Sequence, residues 1–264
     1  MRAMSGIGQY VPLDSPLHRL DAAAKLGITA ALTVGLFTAD GFAGLALIAA
    51  AVVAAVVISR VPARAVTRGL RAVGLIVVFT VLANSLRWAP AIALVRLGPL
   101  GVDAAGLHRG LFFAVRIVVL VVGTTLLTLT TSPVQLSGGL ERVLAPLKLL
   151  RVPVGDLAMT LSIALRFIPT TAEEAEGIVM AQQARGAVFD KGGPVARARA
   201  YAPVLVPLFF QLFRRADALA TAMEARCYRG TEGRTRMKED RMGAGDWMAM
   251  IGIGAALALA GWFL

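Results

Sequence analysis

The sequence predicts an all-α polytopic membrane protein with about five transmembrane helices and a cytoplasmic coupling domain of long amphipathic helices. Three observations carry that expectation. Of the 264 residues, 57% are hydrophobic and 16% charged, whereas soluble domains run at roughly 45–50% apolar and about 25% charged. The apolar residues gather into uncharged runs of membrane-spanning length. Finally, 27 Lys and Arg face 16 Asp and Glu, a net charge of +11. In a soluble chain that excess would suggest nucleic acid. In a hydrophobic one it is what the positive-inside rule produces, so nucleic acid is not an expected partner and membrane lipid is.

The elements follow in chain order. Met1 to Lys25 carries Pro12, Asp14, Pro16, Arg19 and Asp21 where a secretory signal would need an apolar stretch. Leu26 to Ser59 holds one charge, Asp40, within Thr38-Ala39-Asp40-Gly41-Phe42. The run exceeds the ~20 residues of one span, and turn residues sit near its middle, so it divides into spans Leu26 to Ala39 and Gly41 to Ile58. Arg60, Arg64, Arg68 and Arg71 follow, with Pro62 as a breaker, and Ala72 to Leu86 reads as the third span. Arg87 to Gly106, with Pro90 and Pro99, reads as a loop or re-entrant piece, and Leu107 to Thr131 as the fourth span. Ser132 to Gly245 contains 16 of the basic and 11 of the acidic residues without a long uncharged run, the pattern of amphipathic helices on or under a membrane. Trp247 to Leu264 is the fifth span, with Trp247 and Trp262 as interfacial anchors. The expected division is therefore 1–131, 132–245 and 246–264. With the N-terminus and the 132–245 segment cytoplasmic, 23 of the 27 basic residues fall inside. Arg87, Arg96 and Arg109 fall outside, and Arg116 lies within the fourth span.

Two stretches in the basic segment end alike. One runs from about Asp156 through Leu161, Leu165, Ile168, Ile178 and Val179 to Ala184-Arg185-Gly186. The other runs from about Val204 to Ala225-Arg226-Cys227, with Gly230 soon after. In the second, Leu208, Leu212, Ala216, Leu219 and Met223 recur at helical spacing, and Arg214, Asp217 and Glu224 fall off that stripe. An arginine at a helix C-terminus is favoured by the helix dipole and projects five fixed donors. Small flanking residues keep the tip thin, so the guanidinium fits a groove on another protein and pairs with a carboxylate. For one tip alone an ordinary capped helix end explains the pattern; its repetition favours docking.

Other residues are weighed against simpler roles. Cys227 is the only cysteine, and His18 and His108 lie in separate segments, so neither a disulfide, a metal site nor a cofactor is expected. Arg116 is either a relay or a packed residue bonding backbone carbonyls, the second being favoured. Glu173, Glu174 and Glu176 resemble acid/base carboxylates but lack a nearby nucleophile, and read better as partners of Arg214 or Arg215. Pro169, Pro203 and Pro207 are expected to bend their helices. Met159, Met180 and Met223 are either core filler or adaptable sliding contacts. A self-contained secondary transporter is the alternative reading, but the spans hold no Asp or Glu except Asp40, and no duplicated half is visible. An enzyme lacks a nucleophile and base, or a phosphate-binding loop.

The chain resembles the transmembrane T component, EcfT, of energy-coupling factor transporters, the vitamin-uptake branch of ABC importers. The likeness rests on Gly8-Gln9-Tyr10-Val11-Pro12, His18-Arg19-Leu20-Asp21, Leu127-Thr128-Leu129-Thr130-Thr131-Ser132-Pro133 and Ala164-Leu165-Arg166-Phe167-Ile168-Pro169. Phe213-Arg214-Arg215-Ala216-Asp217, the two arginine tips and Tyr228-Arg229-Gly230 continue it. The resemblance implies a non-catalytic subunit of a bacterial cell membrane complex. Two partner ATPases hydrolyse ATP, a small S component captures the vitamin or micronutrient, and this subunit joins them. It further implies that Ala184, Arg185, Gly186, Ala225, Arg226 and Cys227 dock the ATPases, with Cys227 standing where the family has Gly. Arg166, Pro169, Glu173, Glu174, Arg214, Arg215, Asp217 and Glu224 then belong to the contacts of the coupling helices. By that likeness the module is of the shared rather than the dedicated kind.

Overall fold

The computed structural model describes residues 10–88, 93–97, 100–150, 152–189, 193–230 and 243–263. In chain order the helices are α1 (Pro16–Arg19), α2 (Ala22–Thr38), α3 (Phe42–Ser59), α4 (Ala63–Ser85), α5 (Ala104–Thr130), α6 (Pro133–Val143), α7 (Val154–Ala184), α8 (Pro194–Ala200), α9 (Ala202–Ala225) and α10 (Ala244–Phe263). Three strands, β1 (Leu86–Trp88), β2 (Ala93–Leu97) and β3 (Leu100–Asp103), lie between α4 and α5. The chain forms two compact units, one of Met1–Pro146 with Glu239–Leu264 and one of Leu147–Lys238.

The first unit holds a helix for each of the five expected spans. By length and composition α3, α4 and α5 suit a membrane crossing, and α2 is a shorter apolar helix. Three boundaries moved. Helix α2 begins four residues early because Asp21 caps it, accepting from the Ala23 N–H at 2.7 Å. That places Lys25 in the first turn, where its buried Nζ donates to the carbonyls of Thr130 (2.9 Å) and His18 (3.3 Å) rather than standing free in a cytoplasmic loop. Pro62 does not separate the arginines from the third span. It sits at the N-cap, where its missing N–H costs nothing, and Arg64, Arg68 and Arg71 occupy the first turns of α4. The segment read as a loop or re-entrant piece is instead a three-stranded antiparallel sheet in the order β1-β3-β2. Pairing on both sides satisfies the backbone of β3, while β1 and β2 each keep an outer edge of the kind that hydrocarbon does not tolerate. Pro90 and Pro99 lie outside the described residues.

Close helix contacts come from small residues, as expected where lipid supplies no hydrophobic drive. A Cβ on Gly106 of α5 would stand 2.3 Å from the Asn84 carbonyl of α4, and one on Gly123 would strike Leu32 of α2. Leu32, Leu36, Leu45, Ile48 and Val119 form the core between α2, α3 and α5. The guanidinium of Arg116 donates to the Ala39 carbonyl at the end of α2 and lies 4.6 Å from the Phe112 ring centroid, with the Phe37 and Phe113 rings also within 6 Å. This is the packed role. It clasps the α2–α3 turn that the sequence marks at Asp40.

The compact unit extends past the compositional break at Thr131. Helix α6 starts with a full capping box, Ser132 with Gln135, and lies against α2, its Gly139 closely facing Ala22. Asp21 ties three helices: its Oδ2 meets Arg142 Nη1 of α6 at 2.6 Å, and its backbone N–H donates to Asp246 Oδ1 of α10 at 3.1 Å. An amphipathic helix can therefore belong to the membrane unit, which composition alone assigned to the next division. The Tyr10-Val11-Pro12 segment crosses the end of α5, with the Val11 N–H donating to the Leu129 carbonyl at 3.0 Å. His18 Nε2 donates to the Val11 carbonyl and its Nδ1 accepts from Ser15 Oγ. Burial lowers the His18 pKa from its ordinary 6.5, in keeping with that neutral tautomer. Gly8, Gln9 and the Trp262 side chain lie outside the described residues.

Candidate functional site

The second unit is built on α7 and α9. Helix α7 continues through Pro169 for 31 residues, and α9, 24 residues long, carries Pro203 in its first turn and Pro207 inside. Pro207 has no N–H to offer the carbonyl four residues back, Pro203. That carbonyl accepts instead from Gln182 Nε2 of α7 at 3.3 Å. The proline thus frees an acceptor that joins the end of one helix to the start of the other. Phe189, buried, and Tyr201 pack their rings 4.9 Å apart in the connection.

Farther along, α9 turns Leu208, Leu212, Leu219 and Met223 toward partial burial, as their spacing predicts. Ala216 is exposed, and its neighbour Arg215 takes the place on that stripe. Arg215 Nη2 pairs with Glu174 Oε1 of α7, while its guanidinium lies 5.3 Å from the Phe167 ring centroid. Glu173, Glu176, Arg166, Pro169, Arg214, Asp217 and Glu224 are exposed. The structure therefore resolves the choice between Arg214 and Arg215 and selects one of the three glutamates. Glu174 Oε2 and Arg215 Nη1 are buried without a hydrogen-bond partner among the described residues, so the pair is held by one arm only.

Both helices end in the same hydrogen-bond pattern. At the first, Gly186 N–H donates to Gln183 O at 2.9 Å and Ala187 N–H to Gln182 O at 2.9 Å. At the second, Cys227 N–H donates to Glu224 O at 2.8 Å and Tyr228 N–H to Met223 O at 3.0 Å. Each is a Schellman ending, with the arginine at the C-cap and the next residue left-handed. Gly186 has φ 90° and Cys227 φ 55°. Ala184, Arg185, Gly186, Ala225, Arg226 and Cys227 are all exposed, and neither arginine has an ion-pair partner among the described residues. The Gln182–Pro203 contact puts the first tip beside the start of α9 and the second at its end. The tips stand one helix length apart, about 35 Å at 1.5 Å per residue.

A left-handed non-glycine residue costs roughly 1–2 kcal/mol, partly offset by the greater freedom glycine loses on folding. Cys227→Gly is accordingly expected to stabilise the fold by about 1 kcal/mol without altering the tip's shape. A raised thermal unfolding midpoint in detergent checks this, and a lowered one would contradict it.

Sequence reasoning missed a second apolar face on α9. Leu205, Phe209 and Phe213 recur every four residues and are exposed together with Val206 and Phe210. That spacing was legible, but the 208–212–219–223 stripe already accounted for the helix. Of the three methionines, Met180 is exposed and Met159 and Met223 are half-buried.

Comparison with known proteins bears on this arrangement. The family model described as cobalt transport protein, CbiQ, matches residues 14–237. The chain is 48% identical over 248 residues to the energy-coupling factor transporter transmembrane protein EcfT of Thermosediminibacter oceani, covering 94% of this chain and 93% of that one. The chain belongs to this family. The proteins of the same name from Heliobacterium modesticaldum and Bacillus subtilis are 45% and 44% identical, covering 96% and 88% of this chain and 95% and 88% of theirs. The chain is thus a membrane component of an energy-coupling factor transporter, and the matched region takes in both arginine tips.

Proposed function

We propose that this subunit couples two cytoplasmic ABC ATPases to a small substrate-capturing S component for uptake of a vitamin or micronutrient. The observation that carries the reading is the duplicated ending of α7 and α9. Two exposed arginines, on the same left-handed cap, stand about one α9 length apart. Two ABC ATPases of like fold present like grooves, and two like tips answer them. Ala184-Arg185-Gly186 takes one groove and Ala225-Arg226-Cys227 the other, each guanidinium meeting a carboxylate. ATP-driven closure of the ATPases moves the tips, and the Glu174–Arg215 pair and the Gln182–Pro203 contact make α7 and α9 move as one body. The exposed Leu205, Phe209 and Phe213 face and Met180 supply the apolar surface for the S component, and the polarisable methionine suits a subunit serving several of them. The 132–245 segment and the N-terminus lie in the cytoplasm, and hydrolysis belongs to the partners.

Affinity purification of the tagged full chain, co-produced with candidate ATPases and S components, tests this. Retention of two nucleotide-binding subunits supports it. Substrate flux through the chain alone in liposomes would instead establish the secondary-transporter reading.

A further inference from the structure

We infer that one face of α4 is a binding site for anionic phospholipid headgroups. Arg64, Arg68 and Arg71 are exposed and recur at spacings of four and three, and Leu75, Val78 and Leu82 continue the same line. At 100° per residue all six fall within an arc of about 80°. The opposite face, with Val66, Gly69 and Asn84, is the one packed against α5, where Gly69 faces Thr125 and Gly110 closely approaches Asn84. The stripe therefore points away from α5. Leu75 is 80% exposed, and Val78 and Leu82 are half exposed or more. Arg64, Arg68 and Arg71 form no ion pair among the described residues, and the sequence has no Asp or Glu between Asp40 and Asp103. Among the described residues the positive charge of this helix is uncompensated.

The order of chemistry along the stripe identifies the occupant. Three guanidiniums occupy about 10 Å of helix axis and give way to bare hydrocarbon one turn later, at Leu75. A lipid leaflet has the same layering, an interfacial layer of roughly 5–8 Å lying directly on acyl chains. Arginines inclined along such a layer reach successive phosphates, and the guanidinium fork matches phosphate oxygens two at a time. The site takes the phosphodiester of an anionic lipid such as phosphatidylglycerol, with its chains along Leu75, Val78 and Leu82. Charge at an anionic surface adds for each arginine.

Native mass spectrometry of the full chain, released from nanodiscs of equimolar phosphatidylglycerol and phosphatidylcholine, reads the ratio of lipids retained. The wild type is expected to retain phosphatidylglycerol preferentially, and the Arg64→Gln, Arg68→Gln, Arg71→Gln variant to lose that preference by roughly 10–100-fold. The corresponding triple Lys variant keeps the charge. It is expected to retain most of the preference, which separates loss of the site from misinsertion of the helix. An unchanged ratio in the Gln variant would overturn the assignment and leave the arginines to an acidic protein partner.

Discussion

Arg185→Glu or Arg226→Glu is expected to abolish ATP-driven uptake and the retention of ATPase subunits while leaving the protein at normal levels in the membrane. Each arginine is exposed at a helix end whose cap is made wholly of backbone hydrogen bonds, so reversal of its charge costs the fold only its favourable place on the helix dipole, about 1 kcal/mol. Docking changes in two ways. A charge-assisted hydrogen bond worth about 1.5–3 kcal/mol is lost, and a carboxylate is brought against a carboxylate, at a cost of several kcal/mol more. The sum corresponds to a loss of roughly 10³-fold or more at that tip. Because the two tips stand on one pair of joined helices, each raises the effective concentration of the other at its groove. A single reversal therefore weakens both contacts. Arg→Lys retains charge without the bidentate fork and is expected to fall between. Normal transport in either Glu variant would remove the docking assignment.

The features legible in the sequence were those carried by periodicity or repetition. Uncharged runs located the membrane helices, because hydrocarbon excludes charge whatever the tertiary arrangement. The arginine tips were visible because the same ending occurs twice. What escaped depended on contacts distant in sequence. Lys25 reads as a loop charge until the carbonyl of Thr130 is placed beside it. Helix α6 reads as part of the amphipathic segment until Arg142 reaches Asp21. The role of Pro207 lies in the carbonyl it frees and in Gln182, which claims it. Between Leu86 and Asp103 the strands are short and interrupted by proline-bearing links, so their alternation was too brief to be distinguished from a loop. The choice of Arg215 over Arg214 follows the same rule: adjacent residues differ by 100° around a helix, and only the partner's position decides which one is used.

That choice carries the second large effect. Arg215→Met is expected to weaken the α7–α9 pairing by about 3 kcal/mol, and Arg214→Met to have an effect below about 0.5 kcal/mol. Arg215 and Glu174 are each about a quarter exposed. Removing the cation leaves a carboxylate largely desolvated, with one oxygen already lacking a partner. The stacking of the guanidinium on Phe167 is lost as well. Double replacement of Glu174 and Arg215 by Met avoids the stranded charge and is expected to recover much of the stability, since well-packed hydrophobic residues replace buried ion pairs at little cost. Stability and coupling then separate. If the pair also holds the two tips at their spacing, the double Met variant unfolds near the wild-type temperature yet transports more slowly per ATP hydrolysed, because an apolar contact slides where an oriented ion pair does not. Thermal unfolding of the purified protein, together with the ratio of uptake to ATP hydrolysis in proteoliposomes, measures the two effects independently. Wild-type coupling in that variant would confine Glu174–Arg215 to stability and leave the Gln182–Pro203 contact as the element that fixes the tips.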